Sequence, residues 1–188
     1  MNTPLSAAVS AACRCPAPVL HMAADEATGK QVLTWNQVDG AKKYELYRAT
    51  SQNGKYSKVT TTTKLTYTDS KASVGTVYFY KVRALASSST YNSSYSEILS
   101  GFAICAQPKV KLTLDSTSGK PQLTWDAVEG AVKYEVYRST KSNKGYTLLG
   151  EAYSTMVDDM SAATGKTFYY QVVAVGENGK SATSAYVK

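Results

Sequence analysis

The stretch "DGAKKYELYR", residues 39–48, returns as "EGAVKYEVYR", residues 129–138, and this repetition decides the fold. Shifting the chain by 90 residues aligns 29–48 with 119–138 without a gap, and 13 of the 20 positions are identical. The chain therefore contains an internal duplication. Each unit of about 90 residues is long enough to bury a modest core of its own.

Apolar side chains recur at every second position within each unit. The pattern is clearest in "LTW" (33–35), "YELY" (44–47) and "YFYKVRA" (78–84). A period of two is typical of strands with one buried face, and helical periodicity is absent. Glycines at 40, 54 and 75 are expected to supply the positive φ angles of the connecting turns. About seven short strands per unit predict an all-β antiparallel sandwich, twice.

The same stretches resemble a fibronectin type III domain. In the first unit the resemblance lies in Trp35 after Leu33, in "YELYR" and in "GTVYFYKVRA" (75–84). In the second unit it lies in "LTW" (123–125), "YEVYR" and "GKTFYYQVVA" (165–174). The resemblance covers residues 17–188 and implies two tandem immunoglobulin-like (fibronectin type III) antiparallel β-sandwiches.

The resemblance also implies roles for individual aromatic residues. Trp35 and Trp125 would be the core tryptophans, and Tyr78 would be the corner tyrosine whose hydroxyl bonds a nearby backbone group. The second unit has Phe168 at that position. Because Phe168 lacks a hydroxyl, we expect the second domain to lose about 1 kcal/mol there.

Domain boundaries follow from the alignment. We expect a linker with the tail of a preceding repeat at 1–16, domain 1 at 17–101, a linker at 102–107 and domain 2 at 108–188. Residues 3–12 match the last strand of the first unit, so the chain is interpreted as a fragment of a longer array. A signal peptide or lipoprotein signal ending at Cys13 is the weaker alternative, because no Lys or Arg precedes Arg14.

The last strands align with a different offset. "SSYSEILS" (93–100) matches "SATSAYVK" (181–188) at a shift of 88 residues, so the last loop of the first unit is expected to be two residues longer. Surface loops tolerate such insertions.

Composition excludes several classes of protein. Hydrophobic residues make up 43% of the chain and charged residues 19%, and no stretch approaches the roughly 20 apolar residues of a membrane helix. The net charge of +7 is spread along both units rather than concentrated in one patch. We therefore expect no nucleic-acid partner, whereas acidic glycans or wall polymers would suit a diffuse positive charge.

Three cysteines, Cys13, Cys15 and Cys105, are too few for a disulfide framework and too sparse for a zinc site. Cys15 and Cys105 occupy equivalent positions, one before each domain. Because such positions lie a whole domain length apart, a disulfide between them, which needs Cα atoms within about 7 Å, is excluded. Cys105 is interpreted as a small buried hydrophobic residue at the junction. Whether Cys13 and Cys15 pair with a partner located upstream stays an open question.

The sequence offers little for catalysis. The only histidine, His21, lies on a predicted edge strand, and a nucleophile needs an oriented base. The carboxylate pairs Asp25-Glu26 and Asp158-Asp159 fall in predicted turns, where Asp caps local backbone groups. Calcium at the second pair is conceivable, but no loop motif supplies six oxygen ligands. We expect no enzyme activity, no cofactor and no metal.

A binding face is the remaining candidate site. With Tyr44 and Leu46 turned to the core, the outward residues of two neighbouring strands form the possible face: Tyr47, Phe79, Lys81 and Arg83, with Tyr137 and Tyr169 in the second unit. Exposed aromatic pairs stack on sugar rings or anchor protein partners. Cross-strand aromatic pairs also stabilise sheets by themselves, at roughly 0.2 to 1 kcal/mol each, and this structural interpretation is favoured.

Three functional hypotheses stay open. The leading one is a non-catalytic spacer and interaction module, a pair of fibronectin type III domains from a larger secreted or surface protein, mediating protein contact or adhesion. The alternatives are a carbohydrate- or cell-wall-binding module and a hormone-like ligand for a host receptor. The Lys-, Thr- and Tyr-rich repeats resemble arrays of Gram-positive surface proteins, which implies a bacterial, extracellular, monomeric fragment whose partner is a protein or a glycan.

Overall fold

A computed structural model of the chain describes residues 13–188. Over that range the protein is all-β, with fourteen strands and one short 3-10 turn at Ser89–Tyr91. The expected tail of a preceding repeat, residues 3–12, lies outside the described residues.

The first half of the chain forms one two-sheet sandwich. Its strands are β1 (Leu20–Ala24), β2 (Gln31–Trp35), β3 (Lys43–Ala49), β4 (Ser57–Thr62), β5 (Thr66–Thr68), β6 (Val77–Leu85) and β7 (Leu99–Phe102). One sheet has the order β1-β2-β5 and the other the order β4-β3-β6-β7. Strand β3 pairs antiparallel with both of its neighbours, β4 and β6.

The second half repeats this architecture. Its strands are β8 (Lys111–Leu114), β9 (Pro121–Thr124), β10 (Ala131–Ser139), β11 (Thr147–Ala152), β12 (Met156–Asp158), β13 (Tyr169–Gly176) and β14 (Gly179–Lys180). The sheet orders are β12-β9-β8 and β11-β10-β13-β14. Both halves are therefore antiparallel sandwiches, as the period-two pattern predicts. The exact domain bounds stay a prediction.

The cores confirm the inward faces read from the alternation. In the first sandwich Leu33, Trp35 and Leu46 are buried, and Thr34 between the first two is exposed. In the second sandwich Leu123 and Trp125 are buried in the same way. Burying side chains of this size stabilises each sandwich by roughly 1.5 to 3 kcal/mol per residue.

Cys105 belongs to the core of the second sandwich. It is fully buried beside Leu123 and Trp125, and burial raises the pKa of its thiol. A thiol in such a setting is a poor nucleophile, which agrees with its interpretation as a small hydrophobic residue. Cys13, Cys15 and Cys105 are all free, and Cys15 is buried as well.

Two of the three predicted turn glycines have the expected backbone. Gly40 and Gly75 have φ angles of 78° and 77°. The prediction for Gly54 is wrong, because its φ lies outside the positive region. Its turn closes with Gly54 N–H donating to the Ser51 carbonyl, and a Cβ on Gly54 would collide with Ser51 Oγ. The contact with Ser51, rather than a left-handed backbone, is what distinguishes this glycine.

Tyrosine hydroxyls accept backbone hydrogen bonds in both cores. Tyr44 Oη accepts from Val38 N–H at 2.9 Å, and Tyr134 Oη accepts from Val128 N–H at 2.9 Å. The corner role of Tyr78 stays a prediction, although Tyr78 is buried as that role requires. Phe168, its counterpart, makes a cation–π contact with the Arg138 guanidinium, which lies 4.7 Å from the ring centroid.

Paired serines hold the final segment of each sandwich against its neighbouring strand. Ser93 and Ser96 Oγ accept from Ala84 N–H at 2.7 Å and from Val82 N–H at 3.1 Å, while their own N–H groups donate to the carbonyls of the same two residues. In the second sandwich Ser181 and Ser184 make the same bonds to Ala174 and Val172. We call these two arrangements the serine clamps.

The serine clamps confirm the offset of 88 for the last strands. Ser93 matches Ser181 and Ser96 matches Ser184 in both sequence and contacts. The extra length of the first unit falls in the loop that contains the 3-10 turn Ser89–Tyr91.

Replacing Ser96 by alanine is expected to destabilise the first sandwich by about 1 to 2 kcal/mol, because the buried Val82 N–H loses its acceptor. Urea unfolding measures the change. The exposed neighbour Ser94 is the control, and Ser94→Ala should change stability by less than about 0.5 kcal/mol. Equal effects of the two substitutions would contradict a stabilising role for the clamp.

Candidate functional site

The outer face of β3 and β6 in the first sandwich carries interleaved tyrosines and cations. Lys81 Nζ lies 4.1 Å from the centroid of the Tyr56 ring and 4.3 Å from that of Tyr95. The Arg83 guanidinium lies 5.3 Å from the Tyr95 ring, which in turn meets Tyr47 edge-on at 5.4 Å. We call these five residues, Tyr47, Tyr56, Lys81, Arg83 and Tyr95, the first-sandwich ladder.

A buried carboxylate lies under the first-sandwich ladder. Glu45 accepts hydrogen bonds from Arg83 Nη2 at 2.7 Å, from Lys58 Nζ at 3.2 Å and from Tyr47 Oη at 3.1 Å. Burial opposes ionisation of Glu45, but these donors outweigh it and hold its pKa below the usual range. Burial, together with the hydrogen bonds to Tyr95 and Glu45, raises the pKa of Tyr47 to about 12.

The second sandwich has an open groove at the corresponding place. The groove has a volume of about 350 Å³ and is lined by Glu135, Tyr137, Tyr146, Gln171, Val173, Lys180, Ser181 and Thr183. By the two repeat offsets, Gln171, Val173 and Thr183 replace Lys81, Arg83 and Tyr95. Three large side chains that fill the first-sandwich ladder are thus replaced by smaller ones. We call this cavity the second-sandwich groove.

The tyrosines and the carboxylate of the ladder are retained in the groove. Glu135 accepts from Lys180 Nζ with both oxygens at 2.7 Å and from Tyr137 Oη at 2.7 Å. The hydrogen bonds from Lys180 and Tyr137 hold the pKa of Glu135 below its usual range, and the bond to Glu135 raises the pKa of Tyr137. Burial raises the pKa of Tyr146. At neutral pH the groove therefore presents the Glu135–Lys180 ion pair and two neutral phenols.

The structure brings together only part of the predicted binding face. Tyr47, Lys81 and Arg83 belong to one cluster, but all three are half-buried rather than open. Phe79 pairs in register with Ala49, one step along the same face from the Tyr47–Lys81 pair, and the ring that contacts Tyr47 is Tyr95.

The second-unit residues of the predicted face lie along β10 and β13. Tyr169 packs edge-on against Tyr186 at 5.4 Å and lies opposite Ser139, while Tyr137 lies opposite Gln171. The residues that sequence reasoning missed are Tyr56, Tyr95, Tyr146, Glu135 and Lys180. The repeat offset, which carries Tyr56 onto Tyr146, was the available signal for two of them.

The carboxylates considered for catalysis or calcium have structural contacts. Asp25 Oδ1 accepts from the N–H and the hydroxyl of Thr28, which confirms a turn cap. Asp159 accepts from Arg138 Nη1 at 2.7 Å, from Tyr170 Oη at 2.8 Å and from Ser161 Oγ at 2.7 Å. Its oxygens are therefore occupied by protein donors.

The remaining expectations about chemistry concern His21, metals and membranes. His21 is exposed on the edge strand β1. Among residues 13–188, no three His, Cys, Asp or Glu side chains gather as metal ligands. No helix in that range has the length and apolar character to cross a membrane.

The chain is similar to parts of known carbohydrate-active enzymes. The family model described as the C-terminal domain of GH85 endohexosaminidases matches residues 107–188. An amylopullulanase of Thermoanaerobacter thermohydrosulfuricus is 38% identical over 71 residues, which are 37% of this chain and 5% of that protein. The chain thus spans a small fraction of its curated relative.

Solved structures with similar chains include bacterial and animal proteins. A Fn3-like protein from Clostridium thermocellum is 39% identical, with a TM-score of 0.41, and the match covers 44% of this chain and 88% of that one. A two-domain fibronectin type III segment of chicken tenascin is 17% identical, with a TM-score of 0.53, and the match covers 91% of this chain and 98% of that one.

The fold and these similarities together identify the class of protein. Four antiparallel sheets, two in each half, define a pair of immunoglobulin-like sandwiches. The tenascin segment has the same two-domain fold over nearly the whole chain. The chain therefore has the fold of a tandem pair of fibronectin type III domains.

Proposed function

We propose that the chain is a non-catalytic accessory module of a larger secreted or surface protein, and that it acts by spacing other domains and by contacting a protein partner. The observation that carries this proposal is the difference between the repeats. The first-sandwich ladder is filled by its own side chains, whereas the second-sandwich groove is open and keeps Tyr137 and Tyr146 at its walls. An open, aromatic-lined groove on a rigid sheet is a common form of protein contact site.

The similarities to known proteins support the accessory role. The amylopullulanase and the GH85 domain family belong to enzymes named for activity on carbohydrates, and the matched GH85 segment is a C-terminal domain. The matched segment forms only 5% of the amylopullulanase, which is consistent with an accessory segment of a larger enzyme. A bacterial, extracellular setting follows from the same relatives as part of this proposal.

Carbohydrate binding is the second candidate. Tyrosine rings beside polar side chains such as Gln171 and Thr183 also suit sugar recognition, and the relatives are named for carbohydrate chemistry. The two candidates therefore compete for the same groove.

One experiment separates the candidates. The purified chain is applied to an immobilised peptide library and, in parallel, co-sedimented with insoluble starch and peptidoglycan at physiological salt. We expect saturable binding to a subset of peptides, loss of that binding in Tyr137→Ala, and no pelleting with either polysaccharide. Tyr47→Ala is the matched control, because Tyr47 is the equivalent residue of the first sandwich and packs edge-on against Tyr95. Pelleting that Tyr137→Ala abolishes, without peptide binding, would establish the carbohydrate candidate instead.

A further inference from the structure

We infer that the second-sandwich groove receives an arginine or lysine side chain from a partner polypeptide. The inference rests on the proposed function in protein contact and names the chemistry of the partner. It comes from a comparison of the first-sandwich ladder with the second-sandwich groove, which are equivalent sites in the two repeats. In the ladder, basic side chains of the same sandwich fill the site.

The first sandwich shows what such a site binds. In the ladder, the Lys81 ammonium lies between the rings of Tyr56 and Tyr95, and the Arg83 guanidinium lies near the rings of Tyr47 and Tyr95 at 6.0 and 5.3 Å. Arg83 also reaches the buried carboxylate of Glu45 with Nε at 2.9 Å and Nη2 at 2.7 Å. Aromatic faces and a carboxylate thus enclose two cations.

The second sandwich keeps the receptor and lacks these cations. Tyr137, Tyr146 and Glu135 stand at the positions of Tyr47, Tyr56 and Glu45. The positions of Lys81 and Arg83 hold Gln171 and Val173, both uncharged, and Val173 is buried at the floor of the groove. An incoming basic side chain would therefore find the rings of Tyr137 and Tyr146, but Thr183 stands in place of the Tyr95 ring, and Glu135 would be shared with Lys180.

The charge in this groove is the ion pair of Glu135 with Lys180, and the carboxylate is the more buried partner. The Glu135 side chain is only 10% exposed, and its ion-pair partner Lys180 is a flexible type of side chain that is 55% exposed. An incoming guanidinium has to displace the Lys180 ammonium from Glu135, and its bidentate geometry matches a carboxylate better than an ammonium does. The phenol rings beside Glu135 add cation–π attraction.

The charge of the whole chain makes the test specific. With a net charge of +7, the protein repels basic peptides at long range, so non-specific adsorption of such a peptide is disfavoured. Binding of a basic peptide therefore reports a local site.

The test is an NMR titration of the ¹⁵N-labelled full chain with the acetylated, amidated peptide Gly-Arg-Gly-Arg-Gly, beside the same peptide with citrulline in place of arginine. Citrulline keeps the shape of the side chain and removes its charge. We expect saturable shifts at the backbone of Glu135, Tyr137 and Gln171 with the arginine peptide, and at least tenfold weaker binding of the citrulline peptide.

A variant that fills the groove provides the decisive control. The triple change Gln171→Lys, Val173→Arg and Thr183→Tyr rebuilds the ladder in the second sandwich, and it should abolish the shifts without lowering the melting temperature. The opposite change, Lys81→Gln, Arg83→Val and Tyr95→Thr, should create a second binding site in the first sandwich. The melting temperature of each variant is measured beside the titration, because Arg83→Val removes a partner of the buried Glu45 carboxylate.

The outcomes distinguish this inference from the proposed function. Equal binding of the arginine and citrulline peptides would overturn the inference and leave a protein-contact groove in place. No shifts with these peptides or with any library peptide would overturn both. Displacement of the arginine peptide by a soluble oligosaccharide at the same residues would replace the basic partner by a glycan.

Discussion

Asp159→Asn is expected to lower the stability of the second sandwich by about 3 kcal/mol, because it removes the charge that pairs with Arg138 inside the protein. The Asp159 side chain is 1% exposed, so water cannot replace the lost contact. Each sandwich contains one tryptophan, and the indole NMR signal of Trp125 in urea reports the second sandwich separately from Trp35. Asp158→Asn, which changes the exposed neighbour, should cost less than about 0.5 kcal/mol.

The same carboxylate should give the second sandwich an acid-sensitive stability. Burial opposes ionisation of Asp159, but the hydrogen bonds from Ser161, Arg138 and Tyr170 outweigh it, and its pKa in the folded protein is lowered. A lowered folded pKa stabilises fully above the unfolded value of about 3.9 and loses that contribution as the pH falls through the folded value. Unfolding in urea between pH 7 and 2.5 should show a shallower acid decline in Asp159→Asn. An unchanged slope would show that Asp159 is not ionised in the folded state.

Gly29→Ala is expected to be the most damaging single-methyl change in the chain. Gly29 has a φ of 68°, and a Cβ there would collide with the Ile104 carbonyl oxygen and lie 2.9 Å from the Cys105 carbonyl carbon. The left-handed backbone costs an alanine about 1 to 2 kcal/mol and the clash adds about 2 kcal/mol more, so we expect a loss of about 3 to 4 kcal/mol. Urea unfolding followed by the indole signals measures it.

Gly119 is the matched control within the same chain. It occupies the equivalent turn with a φ of 64°, but nothing lies within 4 Å of the position that a Cβ would take. Gly119→Ala should therefore cost only the backbone strain of about 1 to 2 kcal/mol. Similar losses for the two variants would show that the contact with Ile104 and Cys105 does not constrain Gly29.

Much of the fold could be predicted because the alternation of apolar and polar residues within each strand shows which side chains are buried. The period-two pattern and the 90-residue repeat identified the buried faces of Leu33, Trp35 and Leu46 without knowledge of the partners. Gly54 was misassigned because a glycine in a turn has two explanations, a positive φ or a close contact, and only the position of the Ser51 side chain decides between them.

The candidate site could be predicted only in part. The alternation placed Tyr47, Lys81 and Arg83 on one face, because it sets the direction of each side chain and neighbouring strands pair side by side. Tyr95 reaches the same face from a segment held by the serine clamp, and no local pattern signals that contact. The difference between a filled ladder and an open groove depends on the simultaneous replacement of three side chains, which becomes visible only when all three positions are seen together.

The serine clamps have a consequence for how such repeats diverge. Because two hydroxyls and two amides fix the last segment to its neighbour, the loop before the clamp can change in length without shifting any paired residue. The two units show this directly. The first unit has two residues more in this loop than the second, and both clamps keep the same hydrogen bonds. The loop before the clamp can therefore change in length during divergence while the strands keep the same hydrogen-bonding register.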